Sequence, residues 1–297
     1  MKTRAHGARL PLSVSIAITL TVGILAVAPL AYAAGPSPVG LGTAAPFAVL
    51  AGTPAVTNTG ATKITGNLGI SPASAVTGFP PGTVSGAIHK ADAVALRAQT
   101  DLTTAYTDAA GRPVTATHGT LGGLTLVAGV YNAGGVVLDL TGTLTLDGQN
   151  DPNSVWIFQA TSSLTTASSS TVKLINGASP CNVFWQITSS AALGSGSTFV
   201  GTIMALTSIT MANGVTVNGR ALARNGEVTL ANDTINNSCS ASSAASPTPA
   251  SSGVPNAAMG GAPRQGGSSP WLLVLVALVV GCLALGFGAR GYQGRRQ

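Results

Sequence analysis

The sequence predicts an all-β fold, a three-sided β-solenoid with one long α-helix alongside it, followed by a C-terminal transmembrane helix. Composition is the first reason: of 297 residues, 38 are glycine, 7% are charged and 4% are aromatic, which suits short strands and tight turns. The second is a repeat with a period of about 18 residues in the C-terminal half. The third is one long segment, residues 89–110, that contains no glycine or proline.

The N-terminus has the pattern of a secretory signal peptide over residues 1–33. A basic start is followed by an apolar run from Leu12 to Leu30 and by a small-residue cleavage site, residues 31–33. The mature protein is therefore expected to begin at Ala34. A permanent N-terminal membrane helix is the alternative, and the clean cleavage site argues against it.

The glycine-free segment, residues 89–110, predicts the helix. Its apolar residues recur every three or four positions, at Val94, Ala98, Leu102, Ala105 and Ala109. Gly111 and Pro113 predict its end. The alanine-rich stripe allows the helix to lie close against a flat partner.

The repeat predicts the solenoid, within a folded domain spanning residues 34–239. Segments 183–187, 201–205 and 219–223 begin three copies that lie 18 residues apart. An earlier copy, from Phe158, precedes its match by 27 residues, which indicates a nine-residue insertion around residues 176–181. A period near 18 with three short strands per copy is typical of a three-sided coil, and coils stack because one alone cannot bury its apolar face.

The repeat also aligns two columns of outward polar residues. Thr171, Thr198, Thr216 and Thr234 form the first column. Small polar residues precede these threonines, and Thr59-Gly60-Ala61-Thr62 repeats the spacing. The second column runs through Ser163/Thr165, Ser190/Ala192, Ser208/Thr210 and Glu227/Thr229. Stacking at about 4.8 Å would turn either column into a ladder of hydroxyl and methyl groups that can order water. Threonines that merely favour strands and fill a solvent face are the alternative.

Charge argues against nucleic-acid binding. Of the 14 basic residues, six lie near the termini, so the body from residue 34 to 270 holds eight basic and eight acidic residues. A neutral body has no counterion release to drive it onto phosphates. Catalysis by a solenoid lyase or hydrolase needs clustered carboxylates. Asp139, Asp147 and Asp151 are the one dense acidic group, and Asp147-Gly148 and Asn150-Asp151-Pro152 look like turns. Neither an enzyme nor a cofactor is predicted.

Cys181 and Cys239 are candidates for a disulfide, because export permits oxidation. Two reduced thiols are the alternative. A zinc site is not predicted, because the two histidines of the body, His89 and His118, are remote in sequence.

The C-terminal part predicts a membrane anchor. Residues 240–269 form a Ser/Ala/Pro/Gly-rich linker, and residues 270–289 hold an uncharged apolar run of about 19 residues, near bilayer-spanning length. The basic tail, residues 290–297, predicts a cytoplasmic C-terminus. Residues 254–261 resemble a degenerate sortase signal that lacks its threonine and second glycine, so a retained helix is the preferred interpretation over cell-wall attachment.

Four motifs are similar to those of the ice-binding-like family: LGTAAPFAVLAG (41–52), ITGNLGISP (64–72), VTGFPPG (76–82) and VNGRALA (217–223). The resemblance covers nearly all of residues 38–239. It implies a discontinuous right-handed β-helix with one long helix lying along it, and adsorption to ice crystals. The family's ice face carries a loose Thr-(Ala/Gly)-x-(Thr/Asn) pattern, which residues 59–62 fit fully and later copies fit in part. The candidate ice-binding residues are Thr59, Thr62, Ser168, Thr171, Ser195, Thr198, Asn213, Thr216, Asn232 and Thr234.

The functional prediction is an exported, membrane-anchored protein with a monomeric ice-binding ectodomain. Its partners would be the ice crystal surface and the membrane. The alternative is a surface adhesin that binds glycans or other cells. Glycan sites usually expose aromatic residues as stacking platforms, whereas Trp156, Phe158, Phe184 and Trp185 lie in strongly apolar strands and are expected in the core or under the helix.

Overall fold

The computed structural model describes residues 35–135 and 137–239. The predicted signal peptide (1–33), linker (240–269), transmembrane helix (270–289) and basic tail (290–297) lie outside these ranges. Within the ranges described, no helix has both the length and the apolar character needed to span a membrane.

The described residues form short strands, one α-helix and two 3-10 turns. The helix, α1, spans Ala93–Ala110 and the turns span Gly42–Ala44 and Pro180–Asn182. The strands are β1 (Phe47–Ala51), β2 (Ala55–Thr59), β3 (Lys63–Thr65), β4 (Asn67–Ile70), β5 (Ala75–Thr77), β6 (Thr83–Val84), β7 (Ile88–Lys90), β8 (Ala116–Thr117), β9 (Thr125–Leu126), β10 (Gly129–Asn132), β11 (Leu138–Leu140), β12 (Thr143–Asp147), β13 (Trp156–Ala160), β14 (Leu164–Thr166), β15 (Thr171–Ile175), β16 (Val183–Ile187), β17 (Ala191–Leu193), β18 (Thr198–Ala205), β19 (Ile209–Met211), β20 (Thr216–Ala223), β21 (Val228–Ala231) and β22 (Thr234–Asn236).

Parallel pairing between neighbouring coils builds three faces. The Thr210 face is a separate sheet in the order β11-β14-β17-β19-β21-β2-β5. The Thr216 face comprises β9, β12, β15, β22, β3 and β6 with the first residues of β18 and β20. The helix-covered face comprises β8, β10, β13, β16, β1, β4 and β7 with the last residues of β18 and β20. The predicted parallel stacking of short strands is confirmed, and the handedness of the coil stays a prediction.

The two longest strands turn the corner between two faces. β18 pairs with β15 at Thr198 and with β16 from Thr202 onward, so its two halves lie on different faces. Gly201 and Gly219 pair at this corner with φ values of 106° and 150°. A Cβ on Gly219 would lie 1.9 Å from the carbonyl oxygen of Gly201. The bend therefore requires glycine.

The solenoid is discontinuous in sequence. β1, from the N-terminal part of the chain, lies between β20 and β4. It completes the coil that β21 and β22 begin, and those two strands pair in turn with β2 and β3. The last coil in sequence is therefore an internal coil in space.

Aromatic side chains fill the interior. The rings of Tyr131, Phe158, Trp185 and Phe199 follow one another with centroids 5.6, 4.1 and 4.7 Å apart. The buried indole N–H of Trp185 donates to the carbonyl of Val200 at 2.9 Å, so no polar group is left unpaired there. Burying each large side chain contributes about 2 kcal/mol. The prediction that the four strand aromatics lie in the core or under the helix is confirmed, with Phe184 the one beneath α1.

The helix begins later than predicted. His89 lies in β7, and Asp92 is the N-cap of α1, its carboxylate accepting the N–H of Ala95 at 2.8 Å. The expected start at residue 89 is wrong because pairing of β7 with β4 holds residues 88–90 extended. The predicted end is confirmed, with Gly111 as the C-cap. The apolar stripe packs on outward side chains of the helix-covered face, but its first predicted member, Val94, is exposed.

Candidate functional site

The Thr216 face carries two rows of mainly small polar residues. The first row, in register across seven coils, is Thr83, Lys63, Thr234, Thr216, Thr198, Thr171 and Thr143. The second row, two residues further along the same strands, consists of Thr65, Asn236 and Asn218 on one side and Lys173, Thr145 and Thr125 on the other, and the apolar side chain of Val200 between these two groups is buried. Successive coils lie about 4.8 Å apart and the two rows about 7 Å apart. The face is a two-dimensional array.

The threonines of the first row are held rigidly but leave their hydroxyls free. The backbone N–H groups of Thr198, Thr216 and Thr234 each donate a 2.9 Å hydrogen bond to the neighbouring coil. Their side chains are exposed, and that of Thr171 is half-buried. Among the described residues, none of these four hydroxyls hydrogen-bonds another protein group. The β-branched side chain is stiff, so methyl and hydroxyl groups recur in fixed positions.

The row is longer than the sequence repeat indicated. Thr143 pairs with Thr171, and Thr83 occupies the position beside Lys63 at the other end. Both threonines were missed because their coils are offset from the 18-residue period by insertions. The alternation Thr143-Leu144-Thr145-Leu146 was the available signal, since it marks a strand with one polar face.

The residues predicted to precede each threonine lie in the turns between the Thr210 and Thr216 faces. Ser168, Ser195, Asn213 and Asn232 are all exposed there. The amide of Asn232 donates to the side-chain oxygen of Asn213 at 2.7 Å. Thr59, at the end of β2, is also exposed, and its carbonyl accepts the N–H of Asn232 at 3.0 Å. These side chains therefore border the Thr216 face along one edge.

Thr62 does not belong to this surface. Its side chain is fully buried, and its hydroxyl accepts the N–H of Asp233 at 3.0 Å. Lys63 pairs with Thr234 in its place. The motif match at residues 59–62 was one residue out of register with the later copies, and a shift of one residue exchanges inward and outward positions. The prediction for Thr62 as an ice-contacting residue is wrong.

Asp233 lies beside the row but is buried beneath it. Its carboxylate accepts the N–H groups of Val215 at 2.8 Å and Ala231 at 2.7 Å, which closes the shortened turn before β22. Burial raises the pKa of Asp233 to about 6, against the opposing effect of these backbone hydrogen bonds. Its charge is therefore kept off the surface.

The Thr210 face differs in how its polar groups are engaged. Its outward row is Thr77, Thr57, Thr229, Thr210, Ala192, Thr165 and Asp139. The hydroxyl of Thr165 contacts the Asp139 carboxylate at 3.4 Å, and Ser190 and Ser208 hydrogen-bond each other at 3.0 Å. The Thr210 face, which holds the second predicted column, thus carries a carboxylate, and some of its hydroxyl groups already hydrogen-bond other protein groups.

A disulfide joins Cys181 to Cys239 at the border of the Thr216 face, with the Cα atoms 5.2 Å apart. The alternative of two reduced thiols does not apply to this structure. Arg220 is buried beside it and donates to the carbonyls of Cys239 and Ala45 at 2.7 and 2.9 Å. Burial lowers the pKa of Arg220 to about 10. Next to the disulfide, Ser238 donates to Asn218 of the second row at 2.8 Å.

Of the predicted acidic group, Asp147 ends β12 and Asp151 lies in the loop that follows, whereas Asp139 is the central residue of β11. The carboxylate of Asp147 accepts the N–H of Gln149 at 2.9 Å, and that of Asp151 accepts the N–H of Asn153 at 2.9 Å. Across the part of the chain that the structure describes, no group of three or more His, Cys, Asp or Glu side chains could hold a metal ion.

The fold and the site define a β-solenoid whose distinguishing feature is a rigid threonine array on one face. The family model described as Ice-binding-like matches residues 49–236, and the chain belongs to this family. The resemblance found in the sequence motifs is confirmed.

Curated relatives and solved structures agree with this assignment. The chain is 50% identical over 204 residues to an ice-binding protein of Nostoc sp. (strain HG1), covering 67% of this chain and 74% of the relative. It is 37% identical over 225 residues to an ice-binding protein of Colwellia sp., covering 69% and 85%. The crystal structure of an ice binding protein from an Antarctic biological consortium is similar with a TM-score of 0.67 and 46% identity, covering 68% and 92%. That of an ice-binding protein from Antarctomyces psychrotrophicus gives 0.65 and 40%, covering 67% and 98%.

Proposed function

We propose that this protein binds ice through the Thr216 face and so inhibits ice growth or recrystallisation. The observation that carries the proposal is the in-register row of exposed threonines whose hydroxyls have no protein partner among the described residues. The relatives named above are ice-binding proteins, which supports the same function here. It requires no catalysis and no cofactor.

The array acts by holding a layer of water in a regular arrangement. Each hydroxyl can hydrogen-bond water, and each adjacent methyl group restricts where that water lies. One such contact is weak, but contacts fixed on one rigid body act together, because the loss of translational and rotational freedom occurs once. A flexible loop with the same residues would lose this advantage.

The position of the aromatic residues supports ice over a glycan as the ligand. A glycan-binding adhesin would expose aromatic rings as stacking platforms. The four strand aromatics considered above, Trp156, Phe158, Phe184 and Trp185, are at most 2% exposed. Apart from Lys63 and Lys173, the Thr216 face presents small hydroxyl, amide and methyl groups.

The test places bulky side chains on one face at a time. In Thr198→Tyr/Thr216→Tyr, two rings would protrude from adjacent coils and prevent flat contact. Ala192→Tyr/Thr210→Tyr is the matched control, because its residues are also exposed and adjacent but lie on the Thr210 face. Thermal hysteresis and ice-recrystallisation inhibition of the purified full-length proteins are the readouts.

We expect at least about a ten-fold loss for the first variant and near-parental activity for the control. The reverse pattern would move the site to the Thr210 face. An inactive, well-folded parent would overturn ice binding and favour the adhesin alternative.

We further propose that the domain is exported and displayed outside the cell on the helix of residues 270–289. The supporting features are the signal-peptide pattern, the uncharged apolar run and the basic tail. An antibody against the solenoid should label intact cells, and a protease acting on the linker, residues 240–269, should release the domain. Labelling only after permeabilisation would contradict this location. Release by cell-wall hydrolases alone would indicate sortase attachment instead.

A further inference from the structure

We infer that Lys63 and Lys173 limit the ice-contacting part of the Thr216 face to the coils between them, an inference that rests on the proposed ice binding. Both lysines are exposed and both stand in the outward rows. Lys63 lies between Thr83 and Thr234 in the first row, and Lys173 pairs with Thr145 in the second row.

The threonine ladder continues beyond both lysines. Thr83 follows Lys63 at one end, and Thr143 and Thr145 follow the coil of Lys173 at the other. Between the lysines lie three consecutive coils, those of Thr234, Thr216 and Thr198. All other residues named in the two rows are uncharged. The first row thus spans seven coils, but the longest stretch of consecutive coils without a lysine in either row is three coils.

Neither ammonium group is held away from the surface by a partner. Within the ranges described, the ion pairs are His89 with Asp92 and Arg112 with Asp108, and neither includes these lysines. Neither lysine side chain hydrogen-bonds another described residue. Both side chains therefore extend from their strands into solvent.

A free lysine opposes contact with a flat solid in two ways. Its ammonium is strongly hydrated. Losing this water shell at the interface costs free energy, and keeping it prevents close contact with the solid. Its long side chain also loses much rotamer freedom when it is confined. Threonine has neither cost, because it is uncharged and stiff. The lysine positions would thus end the surface that can lie against ice.

The inference predicts a gain of activity on removal of the lysines. Lys63→Thr/Lys173→Thr would extend the uninterrupted array from three coils to seven. Threonine suits strand positions, so the fold should be retained, as circular dichroism can check. Because contributions along one rigid array act together, thermal hysteresis at equal molar concentration should rise at least about two-fold.

Two control variants separate the lysine effect from other causes. Lys63→Arg/Lys173→Arg keeps charge and length and should leave activity at the parental level. Lys90→Thr removes an exposed lysine from β7, on a different face, and should also change nothing. All variants are made in the full-length chain and compared with Thr198→Tyr/Thr216→Tyr.

The outcomes distinguish this inference from the proposed function. If the parent is active, the tyrosine variant is not, and the lysine-to-threonine variant shows no gain, ice binding stands and the limiting role of the lysines is overturned. An equal gain in Lys90→Thr would also overturn it, since net charge would then be the cause. If the parent and the lysine-to-threonine variant are both folded and inactive, both proposals fail.

Discussion

At the scale of the residue, the Thr216 face stays uncharged over its central coils because Asp233 is directed inward. The shortened turn before β22 brings this carboxylate to the N–H groups of Val215 and Ala231. An outward carboxylate here would put a hydrated charge beside Thr234. Burial of the carboxylate instead lowers the stability of the folded state, and the size of this loss depends on pH.

We predict that stability falls as the pH rises from about 4 to about 6, and that Asp233→Asn removes this slope. The pKa of Asp233 is about 6 in the folded state against an ordinary 3.8, so the folded state binds the proton more tightly. Asp233 therefore costs stability above pH 6, of order 3 kcal/mol, and the cost disappears as the pH falls toward 4. Asp92 and Asp101 have lowered pKa values, because Ala95 and Thr43 donate hydrogen bonds to their carboxylates. The stability that these two groups contribute is therefore lost only at lower pH.

Denaturant unfolding at intervals between pH 4.2 and 6.5 provides the measurement. We expect the free energy of unfolding of the parent to fall with rising pH and that of Asp233→Asn to lack this slope. A parental slope that Asp233→Asn retains would assign the titration to another group.

At the scale of the element, local periodicity could be read from the sequence but exact register could not. The repeat predicted parallel coils and the aligned threonines, and Gly111 with Pro113 predicted the end of α1, because each depends on residues close together along the chain. The predictions for Thr62 and for the start of α1 were wrong because strand pairing between segments distant in sequence decides both. β3 takes its register from β22, and β7 is held extended by β4. The insertion of β1 between β20 and β4 has no local signal in the sequence. Only the family resemblance implied a discontinuous β-helix.

The corner in β20 gives an element-scale prediction. Gly219→Ala should destabilise the domain by about 3 kcal/mol or more, because the new Cβ would lie 1.9 Å from the Gly201 carbonyl oxygen at a φ of 150°. Gly214→Ala is the matched control in the turn just before β20, with a φ of 78° and no atom within 4 Å of the added Cβ. It should cost only about 1 kcal/mol. Urea unfolding of both variants measures the difference, and equal losses would contradict the steric role of the corner.

At the scale of the whole molecule, the two ends of the described chain are joined in one core. A simple solenoid unfolds from its ends, because each coil contacts only its neighbours. Here β1 completes the coil of β21 and β22, so the first and last strands in sequence depend on each other. Arg220 and the Cys181–Cys239 disulfide fasten the chain where it leaves this coil. The Thr216 face is thus supported by a core that should unfold cooperatively.

This arrangement predicts that the disulfide serves stability more than ice contact. Cys181 and Cys239 are 58 residues apart, and closing a loop of that length contributes about 4 kcal/mol in the chain-entropy description. Cys181→Ala/Cys239→Ala should therefore lower Tm by roughly 10 °C for a domain of this size. Near 0 °C it should keep parental thermal hysteresis, because Thr198, Thr216 and Thr234 are fixed by backbone pairing between coils. Calorimetry and thermal hysteresis on the same samples test both parts. A loss of hysteresis while circular dichroism shows an intact fold would mean that the disulfide region, which borders the second row through Ser238 and Asn218, shapes the ice-contacting surface itself.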